Sequence, residues 1–110
     1  IAFSPDHQFR ALAATDNSIQ LVDVDTGDFM QRFVGHNNRI ESMAFSPNGQ
    51  WLASGGWDNT VRIWKLDNGQ ELFVLEGHTR PVTSIVFTAD NSRLISTSDD
   101  GTVRIWAVNV

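Results

Sequence analysis

The sequence predicts an all-β fold that is built from repeated four-stranded units. Short motifs recur at one spacing of 42 residues: a Gly-His pair at 35–36 returns at 77–78, and Val-Arg-Ile-Trp at 61–64 returns intact at 103–106. Turn residues separate short apolar stretches, which is typical of strands, and no segment keeps the amphipathic stripe of a helix. Motifs that share one spacing indicate an internal repeat.

One period of the repeat holds four predicted strands, over residues 40–45, 51–54, 61–66 and 71–75. The turn Ser-Pro-Asn-Gly at 46–49 separates the first two, because Pro presets φ and Asn or Gly tolerates positive φ. In the third strand, Val61 and Ile63 point to one side and Arg62 and Trp64 to the other. Large side chains on both sides predict a sheet that is covered on both faces.

These motifs resemble the WD40 repeat family. The resemblance rests on Gly-His at 35–36, Phe-Ser-Pro-Asn-Gly at 45–49, Leu-Ala-Ser-Gly-Gly-Trp-Asp-Asn-Thr at 52–60 and Val-Arg-Ile-Trp at 61–64. It covers essentially the whole chain and implies a β-propeller segment of four-stranded antiparallel blades. One departure is that Lys65 and Ala107, not Asp, follow the tryptophans of the two Val-Arg-Ile-Trp motifs.

The resemblance divides the chain into three repeats, at about 1–36, 37–78 and 79–110, of which the last lacks its final strand. Because propellers close into rings of roughly 4–8 blades, we expect part of a larger ring, at its C-terminal end. The remaining blades would come from the rest of the chain or from another copy. The first repeat is degenerate: an ungapped alignment sets Leu12 against Ser54, whereas a gapped one sets Leu12 against Leu52.

In well-formed blades of this family, a His, a Ser or Thr, an Asp and a Trp form a hydrogen-bonded tetrad. The resemblance implies two structural tetrads, which are His36, Ser54, Asp58 and Trp64, and His78, Ser96, Asp100 and Trp106. A buried indole N–H needs an acceptor, and a hydroxyl can accept from it while it donates to an imidazole. The first repeat keeps Asp16 but has Val22 in place of the Trp, so a network there would be incomplete.

The resemblance also implies a partner-binding face at the loops near the tetrad. The candidate positions are Arg39, Glu41 and Trp57 in one blade, Pro81, Thr83 and Asp99 in the next, and Thr15 in the first repeat. Trp57 is the most informative, because Thr15 and Asp99 stand at its place in the other repeats. Two interpretations of Trp57 are open: an interface role, since Trp is enriched at interface hot spots, or a Trp that folds over its own turn or a neighbouring loop. Trp51, within a predicted strand, is interpreted as packing.

Composition and charge narrow the classes of partner and of functional site that this chain can have. The 110 residues contain no cysteine and carry a formal charge of -5, which argues against nucleic acid and anionic membranes as main partners. The recurring His, Asp and Ser favour a structural network over catalysis, and we expect no metal site and no cofactor. The favoured function is a non-catalytic scaffold for protein–protein interaction in the cytoplasm. The alternative is a regulatory or sensing propeller attached to an effector enzyme, such as a kinase or NTPase.

Overall fold

The computed structural model describes residues 2–108, and these residues form β-strands joined by turns. The all-β prediction is confirmed. The eleven strands are β1 (Ala2–Phe3), β2 (Phe9–Ala13), β3 (Ile19–Asp23), β4 (Phe29–Phe33), β5 (Ile40–Phe45), β6 (Trp51–Gly56), β7 (Val61–Lys65), β8 (Glu71–Leu75), β9 (Val82–Phe87), β10 (Arg93–Ser98) and β11 (Val103–Ala107). Two strands end at other residues than the sequence predicts: β6 continues two residues past Ser54, and β7 ends one residue before Leu66.

The strands form three antiparallel sheets in chain order. The first sheet contains β1 to β4, the second contains β5 to β8, and the third contains β9 to β11 within the described residues. Each sheet falls inside one of the three repeats expected from the sequence, and Ile1, Asn109 and Val110 of those repeats lie outside the described residues. The first strands of neighbouring sheets lie side by side, β1 beside β5 and β5 beside β9.

The second sheet is covered on both faces, as the alternation in β7 predicts. Its Val61 and Ile63 join one buried cluster with Val82 and Ile85 of the third sheet. Its Trp64 belongs to a second cluster, on the opposite face, with residues of the first sheet. Burial of large apolar side chains on both faces stabilises the stacking of the three sheets.

Strand pairing decides how the degenerate first repeat aligns with the others. Leu12 pairs across to residue 20 of β3, just as Ser54 pairs across to residue 62 of β7, with all positions shifted by 42. The ungapped alignment is therefore right and the gapped one is wrong. Leu12 occupies the place of the tetrad serine, and Val22 occupies the place of the tetrad tryptophan.

The turns between the first two strands of each sheet have the same construction. In the second sheet, Ser46 Oγ donates to Asn48 Oδ1, which also accepts from the backbone N–H of Gln50 at 3.0 Å. Gly49 completes this turn with a φ of 73°, and Asn91 occupies the equivalent place in the third sheet with a φ of 64°. Asn and Gly both tolerate this left-handed conformation, so the repeat keeps one backbone path with different side chains.

Candidate functional site

His36, Ser54, Asp58 and Trp64 lie together as one hydrogen-bonded network. The Trp64 indole N–H donates to Ser54 Oγ at 2.9 Å, and Ser54 Oγ lies 2.6 Å from His36 Nε2. His36 Nδ1 lies 2.7 Å from Asp58 Oδ2. The contacts are mutually consistent when Ser54 donates to Nε2 and the Nδ1–H of His36 donates to Asp58. The network joins the loop before β5 to strands β6 and β7.

The Asp58 carboxylate lies at the outer end of this network. Burial raises the pKa of Asp58, but hydrogen bonds from His36 and Thr60 outweigh burial and hold that pKa well below its ordinary value of 3.8. The carboxylate also accepts the backbone N–H of Asn37 at 3.2 Å. Asp58 therefore remains ionised at neutral pH and fixes both the imidazole and the adjoining loop.

Two further residues belong to this polar cluster and were not singled out as site residues from the sequence. Thr60 Oγ1 donates to Asp58 Oδ1 at 2.8 Å, and the buried Arg62 lies 3.8 Å from Asp58 and 3.0 Å from Glu71. The sequence placed Arg62 among the large side chains on one side of the third strand but did not predict these ion pairs. The available signal was the repeat itself, because Thr102 and Arg104 stand at the same places in the next unit.

The third sheet contains an equivalent network. Trp106 donates to Ser96 Oγ at 2.9 Å, Ser96 Oγ lies 2.8 Å from His78 Nε2, and His78 Nδ1 lies 3.0 Å from Asp100 Oδ2. A hydrogen bond from the Thr102 hydroxyl is the main cause that holds the pKa of Asp100 well below its ordinary value. Trp106 is partly exposed, whereas Trp64 is buried, so the two networks differ in their contact with water.

The first sheet replaces the serine and tryptophan of this network with Leu12 and Val22. Asp16 stands at the position of the network aspartate. It accepts hydrogen bonds from the backbone N–H and the hydroxyl of Ser18 and pairs with Arg32. Asp16 and Arg32 are both about half exposed, so water screens this ion pair.

Arg39, Glu41 and Trp57 form one surface cluster, which we name the Trp57 patch. It lies where the loop before β5 meets the turn after β6, and we call this end of the sheets the loop end. The Trp57 indole N–H donates to Glu41 Oε2 at 3.2 Å, and Arg39 Nε lies 3.7 Å from the same carboxylate oxygen. Trp57 remains 50% exposed. The structure thus brings together the three positions that the resemblance implied separately, and it leaves about half of Trp57 exposed to solvent.

The backbone at Trp57 is held in a way that does not need its side chain. The backbone N–H of Trp57 donates to the carbonyl of Arg39 at 2.8 Å. At the equivalent place in the third sheet, the backbone N–H of Asp99 donates to the carbonyl of Pro81 at 3.1 Å. The same turn forms with Trp or Asp at this position, so blade geometry does not require an indole there.

The candidate positions of the third sheet lie at the same end of the molecule. Asp99 is exposed and Pro81 is partly buried, while Thr83 Oγ1 lies 2.9 Å from Thr97 Oγ1. The backbone N–H of Ile85 donates to Ser42 Oγ at 3.1 Å, which fixes β9 beside β5. Thr15, the candidate of the first repeat, is exposed in the turn between β2 and β3.

Comparison with protein-family models decides the family. The model described as WD40, "WD domain, G-beta repeat", matches residues 27–65 and 69–107, which together make up more than half of the chain. The chain belongs to the WD40 family. Each match begins before the outer strand of one sheet and runs through three strands of the next, whereas β1 to β3 lie outside both matches. A comparison with curated proteins finds no match.

WD40 repeats generally form protein-interaction modules, and the family is typically not enzymatic. Within residues 2–108, no cluster of three or more His, Cys, Asp or Glu side chains has the arrangement of a metal site. The same part of the chain has no helix whose length and hydropathy would let it cross a membrane.

Proposed function

We propose that this WD40 segment is a non-catalytic scaffold that binds a protein partner through the Trp57 patch. The observation that carries the proposal is the half-exposed indole of Trp57 at a position where the blade accepts Asp instead. An exposed Trp offers a large, rigid apolar surface with one hydrogen-bond donor, and Trp and Arg are the residue types most enriched at interface hot spots.

The electrostatics of the patch favour a partner surface that is apolar at its centre. The Glu41 carboxylate accepts from the indole N–H of Trp57 and lies beside the guanidinium of Arg39. The negative charge of Glu41 and the positive charge of Arg39 therefore largely offset each other. Arg39 is 73% exposed along its side chain and lies at the edge of the patch. We expect the indole to enter a pocket of the partner and Arg39 to contact its polar rim.

Burial supports the non-catalytic part of the proposal. The Ser54 hydroxyl is fully buried, and its oxygen accepts from Trp64 while it contacts His36. A serine nucleophile must be reached by its substrate and must be free to give its proton to a base. Ser54 hydrogen-bonds the base His36 but is fully buried and cannot be reached by a substrate, so the His, Asp and Ser of this blade act as supports for the strands.

The test compares the full-length protein with its Trp57→Ala variant in cells of its natural source. Each is purified through the same tag, and the co-purifying proteins are quantified by mass spectrometry. Phe73→Ala is the matched control, because Phe73 is an exposed aromatic residue on the outer strand β8, away from the loop end. We expect at least one partner to be depleted about tenfold or more by Trp57→Ala and to be retained by the control, as for a hot-spot residue.

An identical set of partners for wild type and Trp57→Ala would contradict the proposal. Loss of the same partners from both variants would also contradict it, because that result would mean that binding does not depend on the loop end.

A further inference from the structure

A groove runs between the first and second sheets at the end opposite to the Trp57 patch. It consists of two adjoining cavities of about 550 Å³ and 260 Å³, and Phe9 and Gly49 line both. Gly49 lies just before β6 and Trp57 just after it, so the groove and the patch are separated by the length of that strand. The larger cavity lies within the range of roughly 300–1,000 Å³ that is usual for ligand sites.

The identity of residue 49 explains why this groove is open. Between the second and third sheets, the side chain of Asn91 bridges the equivalent turns, because its Oδ1 accepts the backbone N–H of Asn48 at 2.9 Å. Between the first and second sheets, the residue at the same place is Gly49, and a Cβ added there would meet nothing within 4 Å. The first junction therefore lacks the side chain that spans the gap at the second.

The walls of the groove are apolar, and its ends are charged. Phe9, Leu21, Met30, Trp51 and Leu66 supply the walls, and Met30 is 50% exposed. Lys65 lies 3.9 Å from Asp67, so these two charges offset each other at one end. Asp6 lies at the other end, and the ion pairs formed by residues 2–108 do not include it.

The turn that contains Asp6 uses one of its two carboxylate oxygens and leaves the other available. Its Oδ1 accepts from the Ser4 hydroxyl at 2.6 Å and from the backbone N–H of Gln8 at 3.0 Å, while the bonds of this turn leave Oδ2 available. An apolar groove with an uncompensated carboxylate complements an apolar side chain that has a cation beside it.

We propose that this groove binds an extended segment of a protein partner, with a large apolar side chain between Phe9 and Trp51 and an adjacent Lys or Arg near Asp6. The site is separate from the Trp57 patch, so one WD40 segment would hold two partner segments at opposite ends of its sheets. A peptide with both a basic and an apolar side chain complements the acidic rim and the apolar walls of the groove.

The probe is a phage-displayed library of random linear peptides, selected on the full-length protein, and enriched peptides are then titrated individually with a fluorescent label. We expect enrichment of Phe, Leu or Met next to Lys or Arg. Gly49→Asn should weaken binding at least about tenfold, because the new side chain would bridge the turns as Asn91 does and exclude the apolar side chain. Asp6→Asn should weaken it about two- to fivefold, since Asn48 forms the equivalent turn without charge.

Gly101→Asn is the matched control for Gly49→Asn. Gly101 has a φ of 84°, and Asn17 and Asn59 occupy its equivalent places with φ of 70° and 68°, at the loop end of the sheets. Binding should be unchanged in this control and in Trp57→Ala. Failure to enrich any peptide, enrichment of acidic peptides, full binding by Gly49→Asn, or equal loss in Gly101→Asn would each overturn the proposal.

Discussion

The first and second sheets share one backbone register but differ in what lies between their middle strands. The second sheet joins β6 and β7 with Ser54, Trp64 and a buried imidazole, whereas the first sheet has Leu12 and Val22 at the serine and tryptophan positions. Replacing both partners of a buried hydrogen bond with apolar groups leaves no polar atom unpaired and can be nearly neutral. The comparison shows that a blade tolerates the loss of the whole pair, but it predicts that removal of one member is damaging.

The largest expected effect follows from Ser54→Ala. This change removes the acceptor of the Trp64 N–H and the partner of His36 Nε2 together, so two buried groups lose their contacts. We expect a loss of about 2–4 kcal/mol in the free energy of unfolding, measured by denaturant titration. Ser96→Ala should cost less, because water reaches the partly exposed Trp106. A neutral Ser54→Ala would mean that the second sheet, like the first, does not depend on the polar pair.

A smaller effect is expected for Trp64→Phe, which keeps an aromatic ring and removes the N–H. The Ser54 hydroxyl then loses one contact but retains His36, and the smaller ring packs less well against Phe33. We expect the free energy of unfolding to fall by about 1–3 kcal/mol. An unchanged unfolding curve would show that the indole contributes only through its apolar area.

The pH dependence of the free energy of unfolding compares the contribution of Asp58 in the second sheet with that of Asp16 in the first. Because the folded-state pKa of Asp58 lies below the ordinary 3.8, its contribution is fully present above that value and is lost as the pH falls below it. The difference in unfolding free energy between wild type and Asp58→Asn should therefore shrink as the pH is lowered through 3.8 and beyond. Asp16→Asn, the comparison in the first sheet, should show a smaller difference at pH 7, because Asp16 is half exposed. Equal pH profiles for the two variants would contradict this distinction.

Much of the fold could be predicted because the sequence repeat determines the number and order of the strands. A spacing of 42 residues set the strand number and order, and the alternation in β7 predicted two covered faces, which the two buried clusters confirm. The C-terminal end of β6 was missed, since Gly55 and Gly56 have no side chains from which a strand pattern could be recognised. Strand pairing was needed to align Leu12, because sequence similarity alone supported two alignments.

The candidate site was only partly predictable. The resemblance implied the residues of the Trp57 patch one by one, but their shared carboxylate depends on how the loop before β5 meets the turn after β6. The contact between Arg62 and Glu71 was missed because Glu71 lies on a neighbouring strand, outside the Val-Arg-Ile-Trp motif. The expectation of a larger ring stays a prediction; the exposed Val103 and Ile105, whose equivalents Val61 and Ile63 are buried, are the residues that such a ring would cover.

The most direct test of the account is a binding isotherm of Trp57→Ala with a partner identified by co-purification, measured beside its denaturant unfolding curve. The account predicts at least about a tenfold loss of affinity, with the free energy of unfolding within about 0.5 kcal/mol of wild type, because the blade does not need this indole. Wild-type affinity together with a clear loss of stability would contradict it, since Trp57 would then be part of the blade rather than of its binding surface.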